Sequence, residues 1–418
     1  MSMKKLLSLL LAGLMVFSLA ACGKSETPAA DETTESVSEA TTAAATETAA
    51  AAGIAKEDLK VGFIYIGDEN EGYTAAHYHG ALAMQEALGL TDEQLIIKWN
   101  IPEDETAYDA AVDLADQGCN IIFANSFGHE SYMLQAAAEY PEVEFCHATG
   151  YQAKSSGLAN MHNYFTAVYQ SRYVSGIVAG MKLNEMIESG KITADQAVIG
   201  YVGAYPYAEV ISGYTSFFLG ARSVCPTATM KVTYVNSWAS FDLEKEAAES
   251  LIADGCVLIS QHSDTTGAAT ACEAAGVPIV GYNVSMIATA PNNALTSAAI
   301  NWGPYVTYAV QSVMDGVSFD TDWSRGYEDG ANNITELNAN AIAPGTEEAV
   351  AKAEQAIKEG TLHVFDTSTW TVDGKTLDSY QDDFGNEYIW DGYFHESELA
   401  SAPSFNIFID GITDPTKQ

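Results

Sequence analysis

Leu114-Ala115-Asp116-Gln117-Gly118-Cys119 runs into Asn120-Ile121-Ile122-Phe123-Ala124 and then Ser126. The same phrase returns as Leu251-Ile252-Ala253-Asp254-Gly255-Cys256, followed by an apolar run over 257–260 and Ser263. Leu, Gly, Cys and Ser match at one constant offset. Outward from this pair the likeness continues. Val61-Gly62-Phe63-Ile64-Tyr65-Ile66-Gly67 pairs with Val198-Ile199-Gly200-Tyr201-Val202-Gly203, and Val143 to Cys146 pairs with Val277-Pro278-Ile279-Val280-Gly281. Short apolar runs ending near Gly read as buried parallel strands. Between them lie amphipathic stretches, 73–88, 108–117 and 131–139, which read as helices. Such alternation predicts a parallel sheet covered on both faces. Three collinear matches predict an α/β chain of two similar doubly wound parallel-sheet lobes. Ligands of such sheets sit beyond the carboxyl ends of the strands. Two facing lobes make a cleft there, with hinge closure as its motion.

The N-terminus is a different material. Lys4 and Lys5 precede an apolar run from Leu6 to Ala21, and small residues lead to Cys22. This is the anatomy of a secretory signal over 1–21, too short and too poor in flanking charge to read first as a spanning helix. Its ending, Leu19-Ala20-Ala21-Cys22, resembles the lipobox of bacterial lipoproteins. That resemblance implies acylation of Cys22, cleavage before it, and an extracytoplasmic protein anchored to the cell membrane by lipid. Ala, Thr, Glu and Ser dominate the following stretch to about 59. It buries too little to offset chain entropy, so 22–59 reads as a lipidated Cys and a disordered tether. The rest is long for one core. Residues 60–163 with 287–318 are expected to form the N-terminal lobe, and 164–286 with 319–418 the C-terminal lobe.

The 418 residues carry 56 acidic against 18 basic side chains, a formal charge of −38. Loss of Lys4 and Lys5 with the signal takes this to −40. Such a field repels nucleic acid and anionic lipid. Beyond Cys22 there remain Cys119, Cys146, Cys225, Cys256 and Cys272, an odd number without a CxxC. Neither a disulfide framework nor a thiolate metal site is expected, and the thiols read as small buried hydrophobes. No metal and no cofactor is expected. GxSxG, HExxH and Walker motifs are absent. His77 and His79 fall in a helical pattern, where their spacing diverges. Carboxylates are so abundant that a pair of them signals no glycosidase. Catalysis is not expected.

Tyr65-Ile66-Gly67-Asp68-Glu69-Asn70-Glu71-Gly72-Tyr73-Thr74-Ala75-Ala76-His77 resembles the first loop of the basic membrane protein family of bacterial lipoproteins. Asn125-Ser126-Phe127-Gly128, His147-Ala148-Thr149-Gly150-Tyr151 and Tyr173-Val174-Ser175-Gly176 match in order. So do Glu209-Val210-Ile211, Gln261-His262-Ser263-Asp264, Gly281-Tyr282-Asn283, Asn301-Trp302-Gly303-Pro304 and Asp329-Gly330. The likeness spans about 60 to 365. It implies a type I periplasmic-binding-protein-like fold and a substrate-binding subunit of an ABC transporter, with permease and ATPase subunits as partners. The ligand it implies is a purine nucleoside or a purine base. Gly72-Tyr73-Thr74 with a following His is closer to the branch bearing Gly-Trp-Thr, which leaves base against nucleoside open.

A purine calls for aromatic faces and for amide or carboxylate groups at its rim. Tyr73 follows the first strand and reads as a stacking partner or as core. Trp238, after a strand over 231–236, covers the other ring face or packs under a loop. Phe127 walls the cleft or is structural. Asp264 follows strand 257–260 as a ligand acceptor or as a helix cap. Asn283 offers a donor and an acceptor, or sits in a turn. Asp329 is a ligand contact by resemblance, or an ordinary Asp-Gly turn. His262 is a pocket donor or a buried neighbour of the strands. A sugar-binding protein of the same two-lobed class, and a membrane-tethered ligand sensor, use similar residues. The acidic, aromatic segment 366–418 includes Asp382 to Glu387, expected to form a hairpin turn in preference to a cation loop.

Overall fold

A computed structural model of the chain describes residues 53–382 and 384–417. The expected signal, Cys22 and most of the expected tether lie outside the described residues. The tether boundary at 59 needs correction. Leu59 is fully buried and Ile54 packs on the same core, so the folded body has begun by residue 53. These two aliphatic side chains supply the burial that the Ala/Thr/Glu stretch lacks.

The strands are β1 Val61–Ile64, β2 Leu95–Lys98, β3 Ile121–Ala124, β4 Glu144–Ala148, β5 Met161–Tyr164, β6 Val198–Gly203, β7 Thr229–Tyr234 and β8 Leu258–His262. They continue as β9 Ile279–Tyr282, β10 Ala294–Ile300, β11 Asp322–Trp323, β12 Asn332–Ile334, β13 Ile389–Trp390, β14 Tyr393–Phe394 and β15 Ile412–Thr413. The α-helices are α1 Gly72–Leu88, α2 Glu105–Asp116, α3 Glu130–Glu139, α4 Ala153–Ser156 and α5 Tyr169–Glu188. They continue as α6 Ala208–Val224, α7 Phe241–Ala253, α8 Gly267–Ala275, α9 Gly303–Asp315 and α10 Thr346–Lys358. One sheet has the order β11-β5-β4-β3-β1-β2 and is parallel throughout. The other runs β12-β10-β9-β8-β6-β7-β15 and is parallel except at β10-β12. In each sheet the leading strand lies between the next two: β1 between β2 and β3, β6 between β7 and β8. That reversal of winding opens a crevice at the carboxyl ends of the strands.

The repeated Leu…Gly-Cys phrase has a physical cause. Gly118 and Gly255 take φ of 84° and 89°, the left-handed conformation that closes a helix. Cys119 N–H donates to the Leu114 carbonyl and Gly118 N–H to that of Ala115; Cys256 and Gly255 do the same to Leu251 and Ile252. The Leu and Cys side chains then press on a glycine of the central strand. A Cβ on Gly62 would lie 3.1 Å from Leu114 Cδ1 and 3.2 Å from Cys119 Sγ. A Cβ on Gly200 would lie 2.6 Å from Ile259 Cδ1, 3.0 Å from Leu251 Cβ and 3.2 Å from Cys256 Cβ. Helix and sheet meet at these points with no room for a methyl group. Gly200→Ala is expected to destabilise the protein by about 1–3 kcal/mol through overpacking, measured by urea unfolding.

The expected division of the C-terminal half between lobes also needs correction. β10, inside 287–318, joins the sheet of β6–β9, whereas α9 in the same range packs on α1. β11, inside 319–418, pairs with β5 in the other sheet. The chain crosses between sheets after β5, after β10 and after β11. An apolar strand carries no mark of which sheet edge it will extend. The final segment lays Phe405, Ile407, Ile409 and Ile412 into the core of the β6–β9 sheet and adds β15 beside β7. Gln381 bridges Glu387 across the expected hairpin, and Asp382 accepts from the N–H groups of Phe384 and Asn386 within that turn. Among the described residues no helix is long and apolar enough to cross a membrane.

Candidate functional site

The loops after β1, β3 and β4 face those after β6, β7, β8 and β9. On the first side Glu71 caps α1, its carboxylate accepting from the N–H groups of Tyr73 at 2.7 Å and Thr74 at 2.8 Å. This cap fixes Tyr73 at the helix start. Its hydroxyl donates to the Asn125 carbonyl at 2.6 Å, and its ring meets His77 edge-on at 4.6 Å. His77 in turn stacks on the buried Trp302 at 3.9 Å. Asn125 Oδ1 accepts from Ile66 N–H, which ties the two loops together. Glu130 pins the loop after β4, accepting from the N–H groups of Tyr151 and Gln152 and from the Asn163 amide. That loop presents Thr149.

On the facing side Trp238 lies 5.3 Å from Tyr205, edge to face. Its carbonyl accepts from Asp264 N–H at 2.9 Å. The Asp264 carbonyl accepts from Gly72 N–H at 3.3 Å, a contact between the two sides. Phe127, 46% exposed, stands 6.3 Å from both Tyr151 and Tyr207, so its ring bridges the mouth. These elements enclose a cavity of about 310 Å³. Glu71, Tyr73, Phe127 and Thr149 line it from one side; Tyr205, Glu209, Trp238, Asp264 and Tyr282 line it from the other. Aromatic walls with a few convergent polar groups are the make-up of a small-molecule pocket.

Tyr73, Phe127, Trp238 and Asp264 therefore meet in one cavity. Two expected contacts do not. Asn283 stands one layer behind, its Nδ2 donating to Asp264 Oδ1 at 2.9 Å. At φ 62° it takes the left-handed turn position, and it orients the carboxylate from there. Asp329 is corrected outright. It is exposed, faces Arg325 at 4.0 Å, and precedes Gly330 at φ 70°. It belongs to an ordinary Asp-Gly turn, whose chemistry accounts for the residue without a ligand. His262 is buried behind the wall, its Nε2 3.3 Å from Glu209.

Sequence reasoning missed Glu71, Glu209, Tyr205 and Tyr282. A signal for the acids was present. Glu71 and Glu209 share the offset that relates Gly62 to Gly200. Thr149 and Asn283 share the offset of Val143 and Val277, and both have positive φ, 71° and 62°. Glu71 caps α1 and Glu209 lies in the first turn of α6, so both lobes bring an acid to the cavity from the start of the helix after their leading strand.

Four carboxyls line this cavity: Glu71, Glu103, Glu209 and Asp264. Burial pushes Glu209 up to about 7, against the pull of Arg172. Burial first, then Glu71, Glu244 and Glu209, raises Asp264 well above the carboxylate range. Burial also raises Glu71, opposed by its bonds to Thr74 and Tyr73. Burial drives His262 well down, so it is neutral beside Glu209. Acceptors held out of water at such cost call for donors from a ligand. Rings from both sides with acceptors between them can hold a flat or ring-shaped solute and read its N–H or O–H groups.

Two doubly wound lobes with such a cleft define a solute-binding protein. The chain belongs to the Bmp family of PnrA-like ABC transporter substrate-binding proteins, whose model matches residues 59–364. It is similar to a purine-binding protein of Brucella abortus, 33% identical over 78% of this chain and 90% of the relative. A putative ABC transporter glucose-binding protein of Haloferax volcanii is 30% identical over 82% of each chain. The fold resembles that of a solved ABC transporter solute-binding protein of Aeropyrum pernix, at TM-score 0.60 and 16% identity over 73% of this chain and 93% of that one. The family places the chain among extracytoplasmic proteins that bind a substrate for a transporter.

Proposed function

We propose that this protein captures a purine base or purine nucleoside and delivers it to the permease and ATPase subunits of an ABC importer. In this reading lipid on Cys22 holds it at the outer face of the cell membrane. The observation that carries the proposal is the cavity where Tyr73 and Phe127 face Trp238, Tyr205 and Tyr282, with Glu71, Glu209 and Asp264 between them. Tyr73 and Trp238 take the faces of the heterocycle, and the carboxylates accept from its N–H groups or from ribose hydroxyls. Similarity to the Brucella purine-binding protein supports this ligand class. A sugar is the second reading, favoured by the Haloferax glucose-binding relative and by the stacking of sugars on Trp and Tyr. A thermal-shift panel of purine bases, nucleosides, pentoses and hexoses separates the two, since a ligand selective for the native state raises its melting temperature. The purine reading predicts shifts with purines alone.

Anchoring is tested separately. Cys22→Ser is expected to release a folded, binding-competent protein from the membrane fraction. Unchanged sedimentation with membranes would rule out the lipid on this residue.

A further inference from the structure

The family model ends at residue 364, and the chain continues to 418. Most of this added segment belongs to one lobe. Trp370, Phe394, Phe405, Ile407 and Ile409 share a core with residues of β6, β7 and α6. One loop of it, 397–404, leaves that core and reaches the other lobe.

Glu396 makes the loop. Its buried carboxyl accepts from Ser212 Oγ of α6 at 2.6 Å through one oxygen. The other oxygen accepts from the N–H groups of Ser404 and Phe405, both at 2.9 Å. The chain therefore departs from and returns to a single side chain, which is rooted on α6. Ser397, at φ 62°, turns the backbone away, and Phe405 re-enters the core fully buried. A loop clamped at both ends in this way moves with the lobe that carries α6.

The far side of the loop meets the other sheet. Asp322 opens β11, which pairs with β5, and its side chain is only 6% exposed. Its Oδ1 accepts from Ser401 N–H at 3.0 Å, and its Oδ2 lies 3.1 Å from Lys154 Nζ. Lys154 Nζ also donates to the Leu399 carbonyl at 2.9 Å. Lys154 belongs to α4, which is held to β5 by the bond from Ala153 N–H to Asn163 Oδ1. Charge-assisted bonds around a shielded carboxylate are stronger than an exposed ion pair.

Both ends of this connection lead to the cavity. Ser212 follows Glu209 by three residues on α6, so the two share a face. Lys154 follows Thr149 and Tyr151 in the loop after β4. The connection lies beside two of the covalent crossovers, those after β5 and β11. In the same arrangement the two sides of the cavity touch, Gly72 N–H donating to the Asp264 carbonyl at 3.3 Å.

We infer that residues 397–404 form a strap between the lobes, rooted on α6 through Glu396 and docked on Asp322 and Lys154, which holds the hinge where the cleft walls meet. Opening the cleft turns one sheet against the other and pulls on this junction. The strap thus raises the fraction of molecules competent to bind, whatever the solute. The inference goes beyond the choice of ligand and does not depend on it.

Small-angle X-ray scattering on protein stripped of bound solute by unfolding and refolding gives the test. Lys154→Met and Asp322→Ala are expected to have a larger radius of gyration than wild type. Asp322→Ala should show the larger shift, because it releases both Ser401 and Lys154. Lys154→Arg, which keeps a charged donor, should stay near wild type, as should Leu399→Ala, which keeps the carbonyl. Where adenine or adenosine binds, Lys154→Met should weaken it by about threefold to tenfold, and saturation should return the radius to the wild-type value. The Lys154 side chain is 57% exposed, so this variant serves if Asp322→Ala does not fold. A radius of Lys154→Met equal to wild type would overturn the strap. So would an equal shift in Leu399→Ala, which would mark general loosening. If no purine binds wild type, the purine reading fails, and the scattering of stripped protein still decides the strap.

Discussion

Asp264→Asn is expected to weaken purine binding by about tenfold to a hundredfold or more without lowering the stability of the ligand-free protein. The asparagine keeps the shape and keeps an oxygen for the Asn283 amide, which donates to Oδ1 at 2.9 Å. What it removes is one of the two carboxyl oxygens, in whose place stands an amide N–H₂ donor. The ligand donor then meets a neutral group of half the acceptor capacity in a site shielded from water, where such losses are felt most. Stability responds in the other direction. Burial first, then Glu71, Glu244 and Glu209, disfavour the ionised Asp264, and an uncharged amide carries none of that penalty. Calorimetry and thermal unfolding on one preparation report both effects. Undiminished affinity would remove Asp264 from the site. As a control, Asp329→Ala should change affinity by no more than about twofold, as an exposed turn residue.

Trp238→Ala should cost about 1–3 kcal/mol of binding, roughly tenfold to a hundredfold in Kd, the range of base–aromatic stacking. Trp238 lines the cavity and leans on Tyr205 and Tyr207, which fix its plane. Trp238→Phe, with a smaller ring at the same place, should recover much of the loss. Equal affinities for all three proteins would show that the ring packs under its loop and nothing more.

The fold was legible because the repeat states a physical demand twice. A helix ending in Leu…Gly-Cys must close through a left-handed glycine and press on a strand glycine, and both halves meet this demand alike. The placement of β10 and β11 was hidden, since the choice of sheet is made by neighbours far along the chain. Within the site, the aromatic residues stood out as rings following strands. The acids did not, because 56 carboxylates make any single one inconspicuous, although Glu71 and Glu209 share an offset and both fall in motifs that carry the family likeness. Asp329 failed for the opposite reason. A motif likeness drew it in, whereas its Gly330 neighbour and Arg325 already explained it.

The central claim is the ligand class. The direct test is calorimetry on protein stripped of any bound solute by unfolding and refolding, titrated with adenine, adenosine, guanosine, inosine and glucose. We expect saturable one-site heat with at least one purine and none with glucose. Heat with glucose and silence with every purine would contradict the account and transfer the cleft to a sugar.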